Sequence, residues 1–186
     1  MRRDEADELK EFMKGDDKVF GELVNRYKER IYLVVFRIVR NKEEAKDLAQ
    51  EAFVKAYQSR QSFRAESGFY TWVYRIAVNL ALNYVNRNRD RHAESLEDLQ
   101  ALATSDNAGV KLEEDELRQA IDNAINKLPP RQRTVFVLHH YEEKAHAEIG
   151  ELLSITEGAV KANYHQAVQK MKEYLGMYLR EGRLTS

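Results

Sequence analysis

Arg75, Asn79, Asn83 and Asn86 recur at intervals of four, four and three, which on a helix places one guanidinium and three carboxamides on a single face. Asparagine is a mediocre helix former, so three of them on one exposed face ask for a reason. Carboxamides both donate and accept, and they match the edges of unpaired bases. Phe63 and its neighbouring aromatics offer stacking surface, and Arg64, Arg87, Arg89 and Arg91 are placed to meet phosphates. The chemistry would be capture of a single nucleic-acid strand. A solvated face with no ligand fits the same spacing.

A second constellation lies at residues 146–165. Ile149, Leu152 and Leu153 fall on one side of a short helix, "SIT" supplies a turn, and Thr156 is placed to cap a second helix whose inward residues begin at Val160. Its exposed positions Glu157, Lys161, Asn163, His165 and Gln166 are of types that reach base edges and phosphates in a major groove. The outline is that of a helix-turn-helix, and a plain three-helix packing unit shares it.

Catalytic chemistry finds little support. His92, His139, His140, His146 and His165 form no helical H-E-x-x-H arrangement, and adjacent His139 and His140 point in different directions on a helix. Neither a glycine-rich phosphate loop nor a nucleophile elbow occurs, and the absence of cysteine excludes disulfides and thiol chemistry. The expectation is a binding protein with no catalytic residue, no metal and no cofactor.

These residues need helices to carry them, and the periodicity supplies two blocks. In the first, "DEADELKEFMKG" is a short helix ending at Gly15. Asp16 or Asp17 caps a long one with Val19, Phe20, Leu23, Val24, Tyr27, Ile31, Val34, Val35 and Ile38 at helical spacing. Asn41 caps a third, with Ala45, Leu48, Ala49, Ala52, Phe53 and Ala56 as its apolar stripe and Asp47, Gln50, Glu51 and Lys55 on its polar face. After "QSRQSFRAES", Ser67 is placed to cap a fourth helix running to about Asp90, with Phe69, Trp72, Val73, Ile76, Leu80 and Tyr84 as the core stripe. The second block begins near Glu113 with an amphipathic helix, stops at Pro129–Pro130, and restarts in "RQRTVFVLHHY". The shorter element "AHAEIGELLS" and the final helix follow. The fold class is all-α: two small helical domains, 1–92 and 113–186, joined by an acidic flexible linker at 93–112, the second domain containing the helix-turn-helix.

Charge follows the same division. Residues 1–92 carry 19 basic and 15 acidic residues, residues 93–117 carry one and eight, and residues 118–186 carry ten and eight, so two mildly basic blocks flank an acidic segment. Neither block argues for nucleic-acid binding by charge alone. No run approaches the roughly 18 apolar residues of a membrane span, and "MRRDEADELKEF" lacks the apolar centre of a signal peptide. A cytoplasmic protein without membrane insertion is expected.

Four segments, "NKEEAKDLAQEAFVKAY", "SFRAESGFYTWVYRIAVNLALNYV", "INKLPPRQRTVFVLHHYEE" and "EIGELLSITEGAVKANYHQAVQKM", resemble in order and spacing the bacterial extracytoplasmic-function sigma factors, most nearly the envelope-stress sigma E type. The resemblance implies a subunit that binds core RNA polymerase, recognises and melts the minus-ten element, and contacts the minus-thirty-five element to start transcription of a stress or envelope regulon. Under it, Asp47, Leu48, Gln50, Glu51 and Phe53 would dock on the clamp coiled coil of the largest polymerase subunit, and the second domain would meet the flap. Ser62, Phe63, Arg64 and Ser67 would hold a flipped non-template base, with Arg75, Asn79, Asn83 and Arg87 nearby. Arg131, Thr156, Glu157, Lys161, Asn163, His165 and Gln166 would face the minus-thirty-five duplex. The implied partners are core polymerase, promoter DNA in single-stranded and duplex form, and an anti-sigma factor.

The second domain departs from that pattern. Ser154 stands where the family usually has a turn glycine, Ala162, Asn163, Gln166 and Val168 stand where serine or arginine is common, and "EEKAHAE" lacks the usual Gly-Leu-Ser entry. Fewer cations mean fewer phosphate contacts and a shallower salt dependence, so an unusual or weakened minus-thirty-five contact is expected. A stand-alone helix-turn-helix regulator and a purely protein-interacting module are the competing readings.

Overall fold

The computed structural model describes residues 5–63, 68–88 and 111–181. Among the described residues every regular element is helical and no strand occurs. The helices are α1 (Glu5–Lys14), α2 (Asp17–Val39), α3 (Lys42–Gln58), α4 (Phe69–Arg87), α5 (Lys111–Lys127), α6 (Pro130–His140), α7 (His146–Leu153) and α8 (Glu157–Glu181), with a single 3-10 turn at Arg60–Ser62. The chain divides into two compact units, Met1–Val85 and Asn86–Ser186. The expected linker 93–112 lies outside the described residues except for its last two positions, which open α5.

Boundaries in the first unit follow local chemistry. Gly15 adopts φ +91°, and a Cβ there would meet the Arg60 guanidinium at 3.1 Å, so both the turn and its neighbour call for glycine. Asp16 caps α2 by accepting from the Lys18 and Val19 amides at 2.9 and 3.1 Å. Asn41 caps α3 through the Glu44 amide at 3.0 Å, and Glu43 and Glu44 favour that helix N-terminus. Ser67, the expected cap of α4, is outside the described residues, as is the expected end of that helix near Asp90.

Phe12, fully buried, sits at the centre of the first unit's aromatic core. Its ring lies 5.0 Å from Phe69, 5.8 Å from Phe20, 6.2 Å from Trp72 and 6.5 Å from Phe63. α1 is thereby tied to α2, to the segment leaving α3 and to α4. A second tie is electrostatic: the buried carboxylate of Glu8 accepts two hydrogen bonds from Arg26 at 2.7 and 2.9 Å.

The core face of α4 differs from the stripe that periodicity suggests. Phe69, Val73, Tyr74, Ala77, Val78, Ala81, Leu82 and Val85 are buried, whereas Trp72, Ile76, Leu80 and Tyr84 are only partly so. Two small alanines, Ala77 and Ala81, allow close packing that a count of large side chains overlooks, and they rotate the buried face away from Ile76 and Leu80.

In the second unit α8 is the shared partner of α5, α6 and α7. Ala124, Ile125, Leu128, Phe136, Ala167 and Met171 form its core. α6 buries five consecutive residues, Thr134 to Leu138, so its middle is enclosed on every side, while Arg131 and His140 at its ends are exposed. Pro130 opens α6 at its first turn, and Arg133 reaches back and donates to the Asn126 and Leu128 carbonyls at 3.2 and 3.3 Å, covering the end of α5.

The α7–α8 turn is tight. Ser154 adopts φ 53°, ψ 48°, and the Ile155 amide donates to the Gly150 carbonyl at 2.9 Å. A Cβ on Gly150 would stand 2.9 Å from the Ile155 carbonyl oxygen. Thr156 then caps α8 by accepting from the Ala159 amide at 3.2 Å.

Two substitutions test this geometry in denaturant unfolding of the full chain. Ser154→Gly removes the cost of a side chain in the left-handed region and should stabilise the second unit by roughly 0.5–1 kcal/mol. Gly150→Ala forces the turn apart and should destabilise it by roughly 1–3 kcal/mol.

Candidate nucleic-acid interface

Three surfaces carry the residues singled out in the sequence. On α4, Arg75, Asn79, Asn83, Asn86 and Arg87 are all exposed, opposite a continuous buried face. Arg75 and the three asparagines share one side, as their spacing requires, and no hydrogen bond or ion pair among the described residues engages their side chains. Ile76, Leu80 and Tyr84 flank them as a half-exposed apolar strip. A duplex-sized groove is not needed here; the face is a ridge of donors and acceptors beside apolar surface, suited to bases out of a stack.

The segment before α4 corrects one expectation. Phe63 is 3% exposed, packed at 4.9 Å from the Trp72 ring, so its face is spent inside the protein and offers no stacking surface. Burying an aromatic on Phe12 and Trp72 outweighs leaving it in water. Ser62 is exposed, and its hydroxyl donates to the Ser59 carbonyl at 2.7 Å. Arg64 and Ser67 lie outside the described residues, as do Arg89 and Arg91.

The second surface joins α2 and α3. Asp47, Gln50 and Glu51 are exposed, with Glu51 3.4 Å from Lys55. Leu48 and Phe53, expected on the same outer surface, are instead buried at 8% and 6% exposure because they belong to the stripe that holds α3 against α2. Phe53 still forms part of the floor of a groove of about 590 Å³, lined by Phe20, Val24, Tyr32, Ala49 and Val54 and edged by Lys28, Glu29, Lys46 and Gln50. Sequence reasoning missed the α2 wall by assigning Phe20 and Val24 to the core stripe. The available signal was Val54, an apolar residue outside the α3 stripe and 52% exposed.

The third surface is the helix-turn-helix. Arg131 and His165 are exposed, but much of the remaining set is engaged within the protein. Glu157 pairs with Lys161 at 2.7 Å, which holds the Glu157 carboxyl below its usual range. Asn163 donates back to the Ala159 carbonyl at 2.8 Å, Thr156 serves as the cap, and Gln166 accepts from Gln132 at 2.7 Å. Behind this face, His139 and His146 stack at 4.5 Å, with Tyr164 edge-on to His139 at 4.4 Å. His139 Nδ1 lies 2.9 Å from the Lys144 carbonyl, to which it donates, while Nε2 of His146 is buried without a partner. Burial, then His139 and Lys161, push the His146 ring below its ordinary value, against the pull of Glu157.

Two family models match the chain. Residues 23–91 match the model of Sigma-70 region 2, and residues 118–171 match that of Sigma-70 region 4, so the chain carries the two helical modules of a sigma-70-type transcription initiation factor. The chain is 37% identical over 177 residues to the ECF RNA polymerase sigma factor SigW of Bacillus subtilis, covering 90% of this chain and 94% of that protein. It is 36% identical over 163 residues to the ECF RNA polymerase sigma-E factor of Escherichia coli K12, covering 83% and 85%. The chain belongs to the extracytoplasmic-function family of bacterial RNA polymerase sigma factors. Its function is to confer promoter specificity on RNA polymerase. The same fold occurs in CnrH, solved in complex with the cytosolic domain of CnrY, at a TM-score of 0.62 and 20% identity over 91% of this chain and 96% of that one. It occurs also in RpoE of Bartonella quintana, solved with the anti-sigma factor NepR, at a TM-score of 0.61 and 18% identity over 86% and 98%. No described helix is long and apolar enough to cross a membrane.

The His146 environment makes the second unit sensitive to acid. Its folded-state proton affinity is below the ordinary value of 6.5, so the unfolded chain takes up the proton more readily. The contribution is fully present above that pH and is lost as pH falls below it. Urea midpoints should drop between pH 7.5 and 5.5, and the drop should shrink in His146→Phe.

Proposed function

We propose that the α4 face and the segment 62–67 capture the melted non-template strand of the minus-ten element. The observation that carries this reading is the exposed row Arg75, Asn79, Asn83 and Asn86, unengaged among the described residues and set on a helix whose opposite side is buried. A rigid helix holds such groups where a base must come, so little ordering remains to offset binding. Extruding a base costs a few kcal/mol, which amide contacts and phosphate contacts from Arg75, Arg87 and Arg64 offset. Ser62 and Ser67 lie at the ends of the capturing segment, while Phe63 acts by anchoring it.

The α2–α3 groove, with Asp47, Gln50 and Glu51 on its outer side, receives the clamp coiled coil of the polymerase largest subunit. Its mixture of an apolar floor and charged rim is the composition of a protein interface. The domains are 1–92 and 113–186, with 93–112 as an acidic tether that avoids promoter phosphates and passes toward the RNA exit path. α8 enters the minus-thirty-five duplex with Arg131, Thr156, Glu157, Lys161, Asn163, His165 and Gln166 facing it, and the second domain meets the flap. An anti-sigma partner covers these surfaces in the inactive state, and the protein works in the cytoplasm without catalysis of its own.

Transcription from a matching promoter with added core polymerase tests this assignment. Asn79→Ala with Asn83→Ala should lower promoter opening roughly 10- to 100-fold through loss of two hydrogen-bonding groups, leaving core binding intact. Gln50→Ala with Glu51→Ala should weaken core binding instead. A double asparagine variant that opens promoters at the wild-type rate would overturn the α4 assignment, and failure of the chain to bind core polymerase would overturn both.

A further inference from the structure

Gln132, in the first turn of α6, is a carboxamide with 9% exposure. Its Nε2 donates to Oε1 of Gln166 on α8 at 2.7 Å, and its own Oε1 is buried without a partner. In this arrangement the pair has a direction: Gln132 supplies the hydrogen and Gln166 supplies the oxygen. Gln166 itself is exposed. With its oxygen occupied, the group it turns outward is the amide NH2, which only donates.

A free glutamine can rotate its terminal amide and meet either a donor or an acceptor. A held one cannot. Asn163 bonds the backbone of its own helix and Lys161 is paired with Glu157, whereas Gln166 is a carboxamide on this face that a side chain of another helix holds. We infer that Gln132 is a positioning residue for promoter reading: it locks the Gln166 amide so that α8 presents a donor to the groove. The locked amide selects, at the base pair Gln166 meets, an edge offering an acceptor, such as purine N7, guanine O6 or thymine O4. It disfavours an edge offering the cytosine amine. This inference rests on the proposal that α8 lies in a duplex major groove.

The test uses holoenzyme assembled from the full chain and core polymerase on a duplex pool randomised through the upstream element, with bound molecules sequenced. Wild type should disfavour cytosine on the read strand at one position by about five- to tenfold, the worth of one hydrogen bond. Gln166→Ala and Gln132→Leu should each flatten that position and leave the others alone, and the double variant should add nothing further. Gln132→Glu at pH 8, where a carboxylate can only accept, should turn the Gln166 oxygen outward and move the preference toward cytosine. Gln132→Met, which keeps volume and helix propensity, replaces the leucine variant if the latter does not fold. A merely structural Gln132 would lower binding to all sequences alike, and that result, or an unchanged profile beside a flattened Gln166→Ala profile, overturns the inference. If holoenzyme binding ignores upstream sequence altogether, the duplex-reading proposal fails as well.

Discussion

Burial of Phe12 is the interaction on which the first unit depends. One ring from the short α1 touches aromatic residues of α2, of the segment after α3, and of α4. Each aromatic pair contributes about 0.5–1.5 kcal/mol beyond simple burial, and four pairs share this ring. An N-terminal helix of ten residues would be marginal alone. Phe12 and the Glu8–Arg26 pair make it part of the core.

The same cluster bears on function through position. Phe63 and Phe69, on either side of residues 64–67, both pack against Phe12 and Trp72. The residues that bound this stretch, Phe63 and Phe69, are therefore fixed by the core. A short segment with pinned ends loses less conformational entropy on closing around a ligand than a free loop does. Phe63, at the edge of the proposed strand-capturing segment, is thus held by the aromatic core. Phe63 serves the site as an anchor, and moving it outward to stack on a base would dismantle the anchor.

Helix existence was legible in the chain because elements carry their own punctuation: Gly15 and Asp16, Asn41, Pro129 and Pro130, and Thr156 before α8. The exposed face of α4 was legible for a related reason, since four polar residues at helical spacing can occupy only one side. Burial of individual apolar residues was harder to read. Phe63, Leu48 and Phe53 are apolar residues next to polar ones, and whether such a residue faces in or out depends on what another element presents to it. The alanines of α4 turned its core face, and the α2–α3 groove exists only when two helices are placed together. The Gln132–Gln166 bond spans 34 positions, with no local pattern to announce it.

The second unit poses a problem of affinity that its side chains help to define. On α8, the proposed recognition helix, Lys161 is paired with Glu157 and Asn163 bonds its own backbone, so its first turns offer few free cations for phosphate. Breaking such pairs on contact with DNA subtracts from whatever the new contacts add, and exposed pairs of this kind are worth little to begin with. Under that proposal the isolated unit contacts duplex weakly. In a holoenzyme the same contact need not be strong, because a tether to a second bound module turns it into an intramolecular event with an effective concentration that can reach millimolar. Modest local affinity then becomes useful: discrimination depends on the difference between right and wrong bases, and an oriented amide sets that difference while adding little to indiscriminate attraction for phosphate.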